Sequence, residues 1–135
     1  MFYSVAEHSV RVSEHLKKCA LEQLHGLLHD AAEAYLIDLP SPIKYTLGGR
    51  YLEAEIRLQE MIYDVFGLPF MSPKAHKNMK QADQILLATE SRDLMPNRQG
   101  NWALSAEEPL EERIVPWSAE QAEQSFLARF YELRG

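Results

Sequence analysis

The sequence predicts an all-α protein, a compact bundle of about five to six helices, because its apolar residues recur at the spacing of a helical face through most of its length. Two further observations agree. Capping residues, glycines and prolines punctuate these runs where helices should begin and end, and no stretch alternates apolar and polar residues long enough to make a strand. The first helix is expected from about Ser4 to Cys19. Ser4 and Glu7 form a capping-box pattern, and Val5, Val10, Val12 and Leu16 supply its apolar face. Leu24, Leu27, Leu28, Ala31, Ala32 and Tyr35 form the stripe of a second helix, which must stop near Asp38-Leu39-Pro40-Ser41-Pro42. Gly48-Gly49 breaks the chain before a third helix from about Arg50 to Phe66, carrying Leu52, Ile56, Met61, Ile62 and Val65 and closed by Gly67 and Pro69. Ser72 as cap and Pro73 in the first turn open a fourth helix with Met79, Ala82, Asp83, Leu86, Leu87 and Glu90 on one face. Pro96 to Pro116 reads as a long polar surface loop with a short helical piece, and Ser118 with Gln121 opens a last helix ending at Arg134.

Composition narrows the classes of function. At 135 residues, 46% hydrophobic and 25% charged, the chain can build an ordinary core. With no repeat, low-complexity tract or flexible linker, it reads as a single domain over 1–135. Its one cysteine, Cys19, excludes an internal disulfide framework and fits a reducing compartment. A formal charge of −6 argues against non-specific binding of a nucleic-acid polymer, which depends on Lys and Arg neutralising phosphates. A small phosphorylated substrate held by a metal and one or two bases remains compatible. The longest apolar stretches fall well short of the about 20 residues of a membrane span, and no signal peptide is evident, so the expectation is a cytoplasmic protein without a membrane partner.

The chemistry concentrates in His25-Gly26-Leu27-Leu28-His29-Asp30-Ala31-Ala32-Glu33. Successive helical residues are turned by about 100 degrees, so His29 and Asp30 can lean toward one point, with Glu33 one turn on from His29. An isolated His-Asp pair is ordinarily a core histidine beside a solvated acid. Here it has company: His8 on the preceding helix, and Asp83 within the apolar run from Met79 to Leu87, where a lone buried carboxylate would be costly. A metal ion is one partner that such an acid can find, and four N/O ligands from three helices suit the core of a bundle.

The order His8, then His29-Asp30, then Asp83 resembles the H…HD…D signature of the HD-domain metal-dependent phosphohydrolases. The likeness extends to the stretches Phe2 to Ser9, Leu28 to Ala34, Asp38 to Lys44 and Gln81-Ala82-Asp83, which are similar to those of the bacterial and phage branch that includes the 5'-deoxynucleotidases. It runs from the start of the chain to about Glu90. The resemblance implies the HD-domain fold, one divalent metal bound by His8, His29, Asp30 and Asp83, and hydrolysis of a phosphate ester of a small metabolite, foremost a nucleoside 5'-monophosphate. It also implies that Glu33 and Asp38 line the pocket, Glu33 to position or deprotonate the attacking water, and Asp38 to handle a proton at the leaving oxygen or to hydrogen-bond a sugar hydroxyl. Imidazole and carboxylate donors suit Mn, Co, Ni, Fe or Zn better than Ca, and Mg stays on the list of ions to test.

Other residues carry weaker expectations. Lys44, after the Pro-rich turn, and Lys80, one turn before Asp83, are the lysines that could meet a phosphate. His25 lacks the Glu that would make a metalloprotease motif with His29 and reads as structural or superficial, while His15 and His76 are expected on the surface. Trp102 and Trp117 read as packing residues. Competing functions are a phosphodiesterase of the same superfamily, which generally adds histidines for a second metal, and a regulatory or binding domain clipped by the metal. Members of this branch usually carry an upstream segment with a phosphate-holding arginine, and none precedes Tyr3 here. The expectations therefore include a missing N-terminal segment and a pocket completed by a second subunit in a homodimer.

Overall fold

A computed structural model describes residues 2–17, 19–36, 39–95 and 107–135, and these are all-α, as the sequence predicts. Six α-helices are formed: α1 (Val5–His15), α2 (Ala20–Leu28), α3 (Ser41–Thr46), α4 (Arg50–Val65), α5 (Pro73–Leu94) and α6 (Ala119–Arg134), with a 3-10 turn at Ala31–Ala34. Two compact units result, one of Met1–Leu27 with Met71–Gly135 and one of Leu28–Phe70. No helix among the described residues is long and apolar enough to cross a membrane.

The first unit is built on α1, α2, α5 and α6. Ser4 caps α1 by accepting the Glu7 N–H at 3.1 Å, Ser72 caps α5 through Ala75 at 3.1 Å, and Ser118 with Gln121 completes a capping box on α6. Val12 and Leu16 of α1 pack with Met79, Ala82 and Leu86 of α5 and with Ile114 to form the core. Val5, expected on that face, is exposed. Gly26 lets α2 approach α1 closely, since a Cβ there would stand 2.6 Å from Leu16 Cδ1. Ser13 joins three helices: its hydroxyl donates to the Gln23 carbonyl at 2.8 Å and accepts from Arg129 of α6 at 3.2 Å.

Two polar clamps hold this unit's C-terminal chain. Glu7 is fully buried; one carboxylate oxygen accepts the Trp117 N–H at 2.7 Å, and the other pairs with Arg11 at 2.9 Å. The Arg11 guanidinium lies 4.8 Å from the centre of the Trp117 ring, so Trp117 is a packing residue. At the end of α5, Arg92 donates to the carbonyls of Leu110 at 2.6 Å and Glu112 at 3.0 Å, while Asp93 accepts the Ile114 N–H at 2.9 Å. No helix forms in the described residues 107–117, and the rest of the expected loop, with Trp102, lies outside the described residues.

In the second unit α4 runs as predicted and packs against the 3-10 turn. Ile62 is buried, but Ile56, Met61 and Val65 are exposed, because the short segments of this unit cover only part of the helix. The stretch expected only to stop a helix instead starts one, α3, with Pro42 in its first turn, where a missing N–H costs nothing.

Replacing Glu7 with Ala strands both Arg11 and the Trp117 N–H, and is expected to cost about 3 kcal/mol of stability. A denaturant midpoint that stays at the wild-type value would refute this. A second expectation concerns pH. The Arg92 hydrogen bonds hold the Asp93 carboxyl at about 2 rather than the ordinary 3.8. A depressed folded-state pKa gives stability that is present above about 4 and disappears as pH falls toward 2. Acid titration of the denaturation midpoint should show this loss, and Asp93→Asn should flatten it.

Candidate functional site

The second helix is shorter than the apolar stripe suggests, and this decides how its chemistry is displayed. α2 ends at Leu28, so His29 and Asp30 stand in a turn and Glu33 in the 3-10 segment, not on one continuous α-helix. Gln59 of α4 stabilises this break. Its amide nitrogen donates to the Leu28 carbonyl at 2.6 Å, and its oxygen accepts the Ala32 N–H at 3.1 Å, satisfying groups that a longer helix would have paired internally. A 3-10 turn stacks residues three apart, which puts Glu33 in register with Asp30 rather than one turn on from His29. The Glu33 N–H donates to the Asp30 carbonyl at 3.0 Å.

Within the second unit His29 Nε2 lies 3.1 Å from Asp30 Oδ2, with the His29 side chain 5% exposed and that of Asp30 28%. Tyr63 lies nearby in the same unit; burial, with a contribution from the Asp30 charge, pushes its phenol up to about 12 despite a hydrogen bond with Gln59. Lys44 is held by Glu55, at 3.2 Å, and sits 5.6 Å from the centre of the Tyr51 ring. Asp38 lies outside the described residues.

Within the first unit α1 and α5 bring His8 and Asp83 together, with Nε2 at 2.9 Å from Asp83 Oδ1. The other ring nitrogen, Nδ1, lies 2.5 Å from Oε1 of Glu90, which also accepts the Tyr3 hydroxyl at 2.7 Å. Burial, then the Glu90 charge, raise the Tyr3 pKa above its ordinary value, so the phenol remains a donor. Lys80 is exposed on α5. His25 is buried in α2, consistent with a structural role, and His76 is exposed, whereas His15 is half-buried beside a cavity that Glu22 and Asn78 also line.

Each unit thus sets a histidine beside an aspartate, His8 with Asp83 and His29 with Asp30, and imidazole and carboxylate are donors that could hold a metal ion. Sequence reasoning gave no role to Glu90 or Gln59. Glu90 was legible in part, since it follows Asp83 by seven residues and so returns to the same face two turns later. Nothing in the sequence links Gln59 to the Leu28 carbonyl.

No protein-family model matches the chain. The Escherichia coli (strain K12) protein YfdR, described as uncharacterized, is 36% identical over 135 residues, an alignment covering 98% of this chain and 72% of YfdR. The chain belongs to the YfdR family. A Rhodobacter capsulatus protein described as uncharacterized, RCAP_rcc00048, is 36% identical over 98 residues, which span 68% of this chain and half of that protein.

For this member of the YfdR family, Gln59→Leu removes both hydrogen bonds that shape the His29-Asp30 turn. It is expected to cost about 1 to 2 kcal/mol and to speed amide exchange at Ala32 ahead of the rest of the chain. Unchanged protection of that amide would count against the assignment.

Proposed function

We propose that this protein is a cytoplasmic metal-dependent phosphohydrolase of the HD-domain type, acting on a phosphate ester of a small metabolite, foremost a nucleoside 5'-monophosphate. The observation that carries the reading is the donor set, in which each of two histidines stands beside an aspartate, His8 with Asp83 and His29 with Asp30. Two neutral imidazoles and two carboxylates match a divalent first-row metal in charge and softness, and His8, His29, Asp30 and Asp83 are proposed to hold one such ion together. Bound there, the ion supplies Lewis acidity toward a phosphoryl oxygen and lowers the pKa of water toward about 7.

The chain's own residues have distinct tasks. Glu33, in register with Asp30, orients the attacking water and takes its proton. Asp38 serves the leaving oxygen or a sugar hydroxyl. Lys80, exposed on α5, is available to the phosphate, whereas Lys44 must first leave Glu55. An exposed, unbridged Cys19 suits a reducing compartment.

Protein stripped with a chelator and resupplied in turn with Mn, Co, Ni, Fe, Zn or Mg should release phosphate from a panel of nucleoside monophosphates. Asp83→Ala should lose metal and turnover together. Glu33→Gln should keep the metal and lose turnover by about 10²- to 10⁴-fold, the range for a positioned acid or base. Silence with every ion would overturn the enzymatic reading, and full activity in Glu33→Gln would remove that residue from its role.

A further inference from the structure

His8 is held from both sides by α5. Asp83 meets Nε2 and Glu90 meets Nδ1, at 2.9 Å and 2.5 Å, and the two acids stand seven residues apart on one helical face. The Glu90 side chain is only 15% exposed, so its charge needs partners, and it gathers two donors, His8 Nδ1 and the Tyr3 hydroxyl, on a single oxygen. An imidazole that gives its Nδ1 proton to a carboxylate keeps the Nε2 lone pair free to bind a metal and gains basicity there. In this protein Nε2 is the nitrogen turned toward Asp83, the other proposed ligand of the same unit.

We infer that Glu90, steadied by Tyr3, is the positioning residue for His8, fixing the ring orientation and tautomer in which Nε2 ligates the ion; this rests on the metal reading proposed above. Glu90 does not touch substrate. Its contribution is to metal affinity, and through affinity to turnover. The arrangement also gives a reason for the sequence Phe2-Tyr3-Ser4-Val5-Ala6-Glu7-His8: Tyr3 leads into the Ser4 cap and reaches Glu90, while His8 lies one turn inside the helix and reaches the same carboxylate.

The test is a calorimetric titration of Co²⁺ into chelator-stripped wild type, Asp83→Ala, Glu90→Ala, Glu90→Gln and Tyr3→Phe, with metal-free melting recorded for each. Glu90→Ala should weaken Co²⁺ binding about 10- to 100-fold, the range for removing an outer partner of a ligating histidine. Glu90→Gln, whose amide oxygen can still accept both donors, should recover most of that loss, and Tyr3→Phe should lose less than Glu90→Ala. Long-range ¹H–¹⁵N spectra of the zinc-loaded wild type should show His8 protonated on Nδ1. If wild type binds Co²⁺, Asp83→Ala does not, and Glu90→Ala binds like wild type, the role of Glu90 is overturned while the metal reading stands. The same role is overturned if Glu90→Ala and Glu90→Gln lose affinity equally and in step with their metal-free melting temperatures. Wild type that takes up neither Co²⁺ nor Zn²⁺ overturns the metal reading and, with it, this one.

Discussion

Glu7 and His8 are consecutive on α1, and neither can leave water without partners. The need to satisfy both organises the first unit. Glu7 takes the Trp117 N–H and the Arg11 guanidinium, which anchors the approach to α6. His8 takes Asp83 and Glu90, which fixes the rotation of α5 about its axis. Apolar packing of Val12, Leu16, Met79, Ala82 and Leu86 brings α1 and α5 together, but such packing tolerates sliding. The two polar pairs do not, so register at the candidate site is set by the least forgiving contacts in the unit.

That constraint explains which parts of the fold were legible in the sequence. Caps were, because Ser4, Ser72 and Ser118 act locally and each accepts the backbone N–H three residues on. The extent of α4 and the start of α5 were too, for the same reason: glycine ends a helix and proline opens one by their own conformational limits. The end of α2 was not. Periodicity carries a stripe through Leu28 to Tyr35, and only Gln59, 31 residues beyond Leu28, gives the backbone an alternative to continuing the α-helix. A hydrogen bond of that sequence separation has no local signature. Exposure on α4 was hidden likewise, since periodicity says which residues share a face and not whether a neighbour covers it.

At the candidate site the sequence revealed donors better than supports. His8, His29, Asp30 and Asp83 stand out because a carboxylate or imidazole on an otherwise apolar stripe is an anomaly that calls for a partner. Glu90 lies at the polar end of its stripe, where an acid looks unremarkable, and its importance comes from Tyr3 and His8, 87 and 82 residues away. For Glu33 the sequence suggests an α-helical position one turn on from His29, whereas the chain there winds as a 3-10 turn in which the Glu33 N–H bonds the Asp30 carbonyl. For a group proposed to handle a proton, that shift matters more than the identity of the side chain.

The charge balance gains a meaning from these positions. A phosphate ester is an anion, and the chain carries a formal −6. Several of its cations already serve structural partners: Arg11 on Glu7, Lys44 on Glu55, Arg92 on Asp93 and two carbonyls, Arg129 on Ser13. Under the proposed function a bound ion brings neutralising charge to the phosphate beside what Lys80 can offer. Asp83 and Glu90 flank His8 in the first unit and Asp30 stands beside His29 in the second, and under the proposed function this pairing of carboxylates with histidine nitrogens is a donor mix suited to a divalent cation. The carboxylates that would repel the substrate from the bare protein are then the same groups that recruit the cation able to bind it.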